Sequence, residues 1–237
     1  VYIQALCDSS DSSLWAGPIS FSTLCVENAP YLENFDNSFP NCFTQSSNDI
    51  FNWILNSGPT TSTTTGPTDD ITIGGDYIYI EASDPRVPND SAVVFSPFID
   101  ISSLSAAKLT FFSHMYGASI GTLRIDVSDD GGNSYTNIYS KSGDQGDQWN
   151  FETVSLAGFS DTLRFKISAT VGDDGSGTQF YGDIAIDNFE VSEALAIDVA
   201  GVSLATSPTL ALTNAPFTIS GELNNRGINT VTSMDIN

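Results

Sequence analysis

Tyr181-Gly182-Asp183-Ile184-Ala185-Ile186-Asp187-Asn188-Phe189 is the stretch on which the reading of this 237-residue chain turns. Apolar and polar residues alternate along it, the period of a β-strand with one buried face. Asp183 and Asp187 stand four residues apart, and a period of two sends both side chains to the same side of that strand. The pattern recurs upstream. Short runs rich in β-branched and aromatic residues, at 92–95, 107–112, 123–128, 137–140, 151–156, 163–171 and 182–191, alternate with clusters of Gly, Asn, Asp and Ser. Those clusters are turn chemistry. No segment sustains a helical period, so the fold class is all-β, and many short, evenly spaced strands predict a jelly-roll β-sandwich.

Charge narrows the function classes. Seven Lys and Arg face 29 Asp and Glu, a formal net charge of −22. Such a surface repels phosphate backbones and excludes nucleic acid as a partner, and it disfavours an anionic membrane for the same reason. Cations are the natural partners, and the acidity also suits solubility in a salty extracellular medium. No apolar run approaches the roughly 20 residues that span a bilayer, so no transmembrane segment is expected here. Val1 opens a strand-like run with no basic n-region or cleavage site, and the chain reads as an excerpt of a longer protein. Of the three cysteines, Cys7 and Cys25 flank two strand-like runs, 1–6 and 19–24. A hairpin would bring their sulfurs together for oxidation outside the cell, the alternative being two unpaired buried thiols. Cys42 has no evident partner and reads as a free, buried thiol.

Phe51-Asn52-Trp53, Thr65-Gly66-Pro67, Tyr79-Ile80-Glu81-Ala82-Ser83 and His114-Met115-Tyr116-Gly117 precede the closing strand in that order. The ordered set resembles the MAM domain, an extracellular β-sandwich module of adhesion receptors, meprin-type proteases and many bacterial surface proteins, over residues 31–193. The resemblance implies binding or adhesion at a cell surface or in a secreted protein. It also implies a structural calcium site, carried onto Asp36 of Phe35-Asp36, Asp70 after Thr65-Gly66-Pro67, and Asp187 of the last strand. Asp69 is the alternative if the loop register slips by one, Glu81 is a fourth candidate, and carbonyls near Asn34 and Ile71 would complete the shell. Three converging carboxylates repel one another, so a cation or raised pKa values must resolve the conflict. The family commonly carries a cysteine shortly before the first Phe-acidic pair, and the neighbourhood of Asn34 has none. Residues 1–25 resemble the last hairpin of a fibronectin type III domain. Residues 195–237, with Asn224-Asn225-Arg226-Gly227, resemble the start of an immunoglobulin-like domain of the CARDB type.

Catalytic constellations are scarce. His114 is the single histidine, no Cys/His spacing of a zinc site occurs, and no Gly-x-Ser-x-Gly elbow is present. His114 reads as a packed, hydrogen-bonded residue, and the acidic residues cluster in turns, so the chain is expected not to be an enzyme. Ser128-Asp129-Asp130-Gly131-Gly132-Asn133-Ser134-Tyr135 resembles the Asp-box hairpin, with Asp130 bonding the turn and Tyr135 packed beneath. Trp149 closes a Gly-rich loop, and it and Tyr116 are the candidate ligand contacts. An aromatic beside Asp, Asn and Gln is either a packed edge residue or a sugar-stacking platform. The expected function is non-catalytic extracellular recognition of a protein or glycan, with homophilic contact as one form. The alternative is a carbohydrate-binding module appended to a secreted polysaccharide-degrading enzyme or protease.

Overall fold

A computed structural model describes residues 2–6, 12–17, 23–177, 179–195, 199–207, 218–225 and 227, with only the backbone described in 199–207 and 218–225. The described residues hold strands and turns and no helix. In chain order the strands are β1 (Val26–Asn28), β2 (Tyr31–Glu33), β3 (Thr44–Gln45), β4 (Ile54–Asn56), β5 (Tyr77–Ile80), β6 (Ser91–Asp100) and β7 (Ala107–Met115). They continue as β8 (Ile120–Ser128), β9 (Thr136–Ser142), β10 (Trp149–Ser155), β11 (Thr162–Val171), β12 (Ile184–Glu193), β13 (Val199–Ser207) and β14 (Thr218–Asn225). One sheet runs β1-β6-β11-β8-β9 with β3 also on β6; the other runs β10-β7-β12-β5-β4 with β2 on β12. The two pack as a sandwich, which is the all-β, jelly-roll architecture expected from the alternation. β13 and β14 form a separate antiparallel pair.

β11 shows why the sandwich forms. Leu163, Phe165, Ile167, Ala169 and Val171 are buried while their neighbours are only half-covered, so one face of the strand is apolar and one is wet. Across the core, Phe165 meets Phe189 of β12 edge-on at 5.3 Å, and Phe189 meets Phe43 at 6.1 Å. Burying one such ring stabilises by about 1.5–3 kcal/mol.

β12 changes phase partway along. Asp187 stands opposite Phe112 of β7, yet Glu190 stands opposite Thr110, so β12 carries one extra residue. Asn188 absorbs it in a left-handed conformation, φ 49°, which Asn tolerates better than most residues. The consequence is decisive for the site. Ile184 and Ile186 point into the core before the bulge, and Phe189 and Val191 point in after it. Asp183, Ala185 and Asp187 therefore share the outer face, as the spacing of the two aspartates predicted.

Two expectations need correction. Cys25 bonds Cys42, with Cα atoms 5.8 Å apart, and does not pair with Cys7, which lies outside the described residues. The cause is non-local: β1 runs parallel to β6 beside Phe98–Asp100, and β3 runs antiparallel to the same edge beside Val94 and Phe95. The residues leading into β1 and β3 thus meet near Pro97, and Cys42 is not a free thiol. The expected pairing of 1–6 with 19–24 is also not what is described. Ile3 pairs with Ala16 and Leu6 with Ser12, while most of 19–24 lies outside the described residues. Tyr2, Ile3, Leu6, Leu14 and Trp15 are exposed, as expected of a hairpin too small to bury its own core.

Candidate functional site

The outer face of a sheet in a sandwich normally meets water, but here the 57–76 segment lies across it. Tyr77, Tyr79 and Ala185 are buried on that face and pack with half-buried Trp149. The Tyr77 hydroxyl donates to Gly58 O at 2.6 Å, and Trp149 Nε1 donates to Asp69 O at 3.0 Å, pinning the segment near both ends. Beneath this cover sit Asp183 and Asp187, both sealed from solvent.

At the Asp187 end, three elements converge. Ile71 N–H donates to Asp187 Oδ2 at 3.4 Å and Asn188 N–H to Oδ1 at 2.6 Å. Burial pushes the Asp187 carboxyl up to about 7 against the pull of those two donors, and the negative charges of Asp70 and Asp36 push the same way. Asp36 Oδ1 accepts from Asp76 N–H at 2.9 Å and Oδ2 from Asn34 Nδ2 at 2.6 Å. Asp70 Oδ2 accepts from Thr72 Oγ1 at 2.6 Å, while its Oδ1 is buried with no hydrogen-bond partner among the described residues. A Cβ added at Gly75 would fall inside contact distance of both the Asp70 and Asp36 carboxylates and would push them from their places. The chain turns sharply to build this corner. Phe35, Asn37 and Ile73 all adopt positive φ, 57°, 72° and 60°, conformations that cost on the order of 1–3 kcal/mol each and gather at functional sites.

The expected ligand set is thus partly assembled. Asp36, Asp70 and Asp187 come together. Asp69 does not join them: its Oδ1 accepts from Asp70 N–H at 3.0 Å and Gly74 N–H at 3.1 Å, tying down the loop turn. Glu81 is at the other end, because β5 runs antiparallel to β12 with Ile80 opposite Ile184. Among the described residues, the one group of three potential ligands within 4.8 Å of one another is Cys25, Glu27 and Cys42, and both of its sulfurs are joined in the disulfide. The three aspartates are set wider than that.

At the Asp183 end the surroundings are different. Asp183 Oδ1 accepts from Ala82 N–H at 3.0 Å, and its own N–H donates to Thr65 Oγ1 at 3.0 Å. Oδ2 is buried without a hydrogen-bond partner among the described residues. Burial pushes this carboxyl up to about 7, with Glu81 adding to the rise and the Ala82 N–H and the nearby Thr60 hydroxyl opposing it. Glu81 itself is held below its ordinary value by Ser83, Thr61 and Tyr79 despite partial burial. Thr60 Oγ1 donates to Thr65 O at 3.2 Å, so the threonine-rich stretch folds back on itself above Asp183. This buried carboxylate was not singled out by sequence as a functional group of its own; two Asp at a spacing of four was the only signal for it.

Trp149 and Tyr116 line a groove beside the covering segment. It has two lobes, about 440 Å³ and 390 Å³, which share Pro67, Thr68 and Asp147. Tyr116 lines the first lobe, Trp149 and His114 the second. His114 is 2% exposed and donates from Nε2 to Asp147 Oδ1 at 3.2 Å, the packed, hydrogen-bonded state read from sequence. Trp149 meets Tyr77 edge-on at 5.7 Å and His114 at 5.4 Å. On the opposite sheet, the Asp-box turn forms as anticipated. Asp130 Oδ1 accepts from Asn133 and Ser134 N–H, Gly131 and Gly132 take positive φ, and Tyr135 packs on Phe95 at 5.9 Å.

A family model described as "MAM domain, meprin/A5/mu" matches residues 34–194. MAM domain-containing glycosylphosphatidylinositol anchor protein 1 of Gallus gallus is 32% identical over 187 residues, which cover 71% of this chain and 19% of that protein. Protein 2 of the same name from Mus musculus is 34% identical over 166 residues, 64% of this chain and 17% of that one. The chain therefore spans about a fifth of the length of these curated relatives. Among solved structures, the K1 cleaved adhesin domain of Lys-gingipain from Porphyromonas gingivalis W83 is 17% identical with a TM-score of 0.49, covering 69% of this chain and 97% of that one.

Proposed function

This chain belongs to the MAM domain family over residues 34–194, and from that membership we propose that it is a non-catalytic recognition and adhesion module of the extracellular space or cell surface. The supporting observation is the corner where Asp36, Asp70 and Asp187 meet. Its donor set is all oxygen, it is anionic, and it retains a buried, unpartnered Asp70 Oδ1. Those residues fit a hard cation with oxygen ligands, and calcium accepts such a set with the irregular geometry three separate segments provide. Bound there, calcium would supply the positive charge that lets all three carboxylates ionise. The chain's own part is to hold the closing strand, the 57–76 segment and the turn at Phe35-Asp36 against one another, which keeps the module rigid for recognition.

The flanks, 1–25 and 195–237, are proposed to be pieces of fibronectin-type and immunoglobulin-like neighbours. In that setting the module is one bead of a larger protein whose ligand is an extracellular protein or a glycan. The sugar reading, a module attached to a secreted hydrolase, draws on Trp149 and Tyr116 lining one groove.

Calorimetric titration of calcium into the chelator-treated chain, with melting curves in parallel, tests the cation site. Saturable binding, a raised melting point and loss of both in Asp187→Ala are expected. Binding that survives Asp187→Ala sinks the site. Screening the calcium-loaded chain against extracellular proteins and glycans then tests recognition, and silence on both arrays would leave a spacer.

A further inference from the structure

We propose that the groove between the 59–68 stretch and Trp149 takes an arginine or lysine side chain from a basic segment of a protein partner. The proposal rests on the recognition reading above and names the partner chemistry which that reading leaves open. Charge comes first. Among the described residues no Lys or Arg lines either lobe, whereas Asp69, Asp70 and Asp147 do. Asp147 keeps 58% of its side chain exposed, and one hydrogen bond from His114 leaves most of its acceptor capacity for another donor. Burial holds His114 below the usual histidine range, so it stays neutral and does not offset these carboxylates. The whole-chain charge of −22 steers a cationic partner toward the surface and repels an anionic one.

The aromatic wall fits the same ligand. Trp149 is held by Asp69 O, Tyr77 and His114 before any ligand arrives, so little side-chain entropy remains to be lost on binding. A cation over a tryptophan face gains about 0.5–2 kcal/mol, and the indole is the strongest of the aromatic partners. Charge separates this ligand from a sugar. The Ser and Thr hydroxyls of the 60–68 stretch and Gln148 can answer either one, but only a guanidinium or ammonium brings a positive charge to the exposed Asp147 carboxylate. Extracellular calcium would occupy the neighbouring corner at Asp36, Asp70 and Asp187, leaving Asp147 and Asp69 to the side chain.

The test uses the full 237-residue chain in saturating calcium, so that the cation corner does not compete. A short Gly-Ser peptide bearing one arginine is titrated in, followed by the same peptide with lysine, then with citrulline, the neutral isostere. Neutral xylo- and galacto-oligosaccharides form the last arm. We expect saturable binding of the cationic peptides, at least about tenfold tighter than citrulline and weakened by added salt. Asp147→Asn keeps an acceptor for His114 and should lower affinity about tenfold, while Asp129→Asn in the exposed Asp-box turn of the opposite sheet should leave it unchanged. Should Asp147→Asn fail to fold, Thr68→Lys places a competing cation at an exposed groove position and should abolish binding. Equal binding of citrulline, preferential binding of an oligosaccharide, or no saturation by a folded protein would each overturn the proposal. Capture of an extracellular protein that is indifferent to Thr68→Lys would overturn the groove while leaving the recognition reading intact.

Discussion

Asp187 and Asp183 lie on the same face of β12, about 13 Å apart by strand rise, and burial pushes both carboxyls up to about 7. Their companions differ. Asp187 faces Asp70 and Asp36, like charges that add to the rise that burial sets. Asp183 faces Ala82 N–H and the hydroxyls of Thr60 and Thr65, with Glu81 the one acidic neighbour contributing to its shift. The lesson is that a raised carboxyl pKa does not by itself mark a metal site. The identity of the neighbours decides whether a proton or a cation relieves the buried charge. On the reading proposed above, one end of the strand suits a divalent ion and the other a proton beneath a loop.

The largest effect that could sharpen this contrast comes from the disulfide. Cys25→Ser together with Cys42→Ser opens the 17-residue separation that contains Asp36. The loss should be about 3 kcal/mol in denaturant unfolding. Calcium affinity should fall with it, because Asp36 loses its tether, while the Asp183 end should titrate as before. A change in the Asp183 titration would mean the two ends are not independent.

Next in size is the cation itself. At a concentration of 100 Kd, calcium should stabilise the chain by about 2.7 kcal/mol. Asp187→Ala and Gly75→Ala should each abolish that gain, the second by filling the space between Asp70 and Asp36. Asp183→Asn should retain it. Equal loss in Asp183→Asn and Asp187→Ala, measured by melting in calcium and in chelator, would break the comparison outright.

Protons give the third effect. An acid whose folded pKa lies above its unfolded one keeps a proton that the unfolded chain has released. Asp183, ordinarily 3.8 and about 7 here, therefore contributes stability that is complete below pH 4 and is lost as pH climbs through 7. The slope between those limits is about 1.4 kcal/mol per pH unit for each such group. In chelator Asp187 adds its own share. In calcium that share should vanish, because the ion replaces the proton, and Asp183→Asn should then flatten what remains. A slope that calcium leaves untouched would place the ion elsewhere.

The smallest effect concerns the bulge. Asn188→Gly relieves a positive φ but loosens the unfolded chain, so stability should move by no more than about 1 kcal/mol. Asn188→Val cannot hold that conformation cheaply and should displace Asp187, weakening calcium binding while sparing Asp183. Calorimetry on both variants would separate backbone geometry from side-chain chemistry.

Much of the fold was readable because alternation is local. The runs at 163–171 and 107–112 have a period of two over several residues, and each became a strand of the sandwich. The Asp-box turn was readable for the same reason: Asp130 bonds residues three and four positions on. The bulge was written in the chain as a phase slip, with Ile184 and Ile186 on one parity and Phe189 and Val191 on the other. It was not read, since an alternation that breaks looks like noise until a partner strand counts the residues. The misassigned cysteine pair had a different cause. A hairpin is the natural local guess for Cys7 and Cys25, whereas Cys25 and Cys42 meet only because two short strands share one edge of β6.

By itself the sequence determined the all-β class, the −22 charge that disfavours a phosphate backbone, and the shared parity of Asp183 and Asp187. These follow from composition and from a two-residue period, which need no knowledge of distant contacts. Tertiary structure alone decided which acids meet. Glu81 went to Asp183 because β5 and β12 run antiparallel with Ile80 opposite Ile184. Asp70, not Asp69, turned toward Asp187 because Asp69 was taken up in bonding the backbone of its own loop. The burial that raises both carboxyls comes from a segment more than a hundred residues away in the chain, laid across a face that the strand pattern marks as wet.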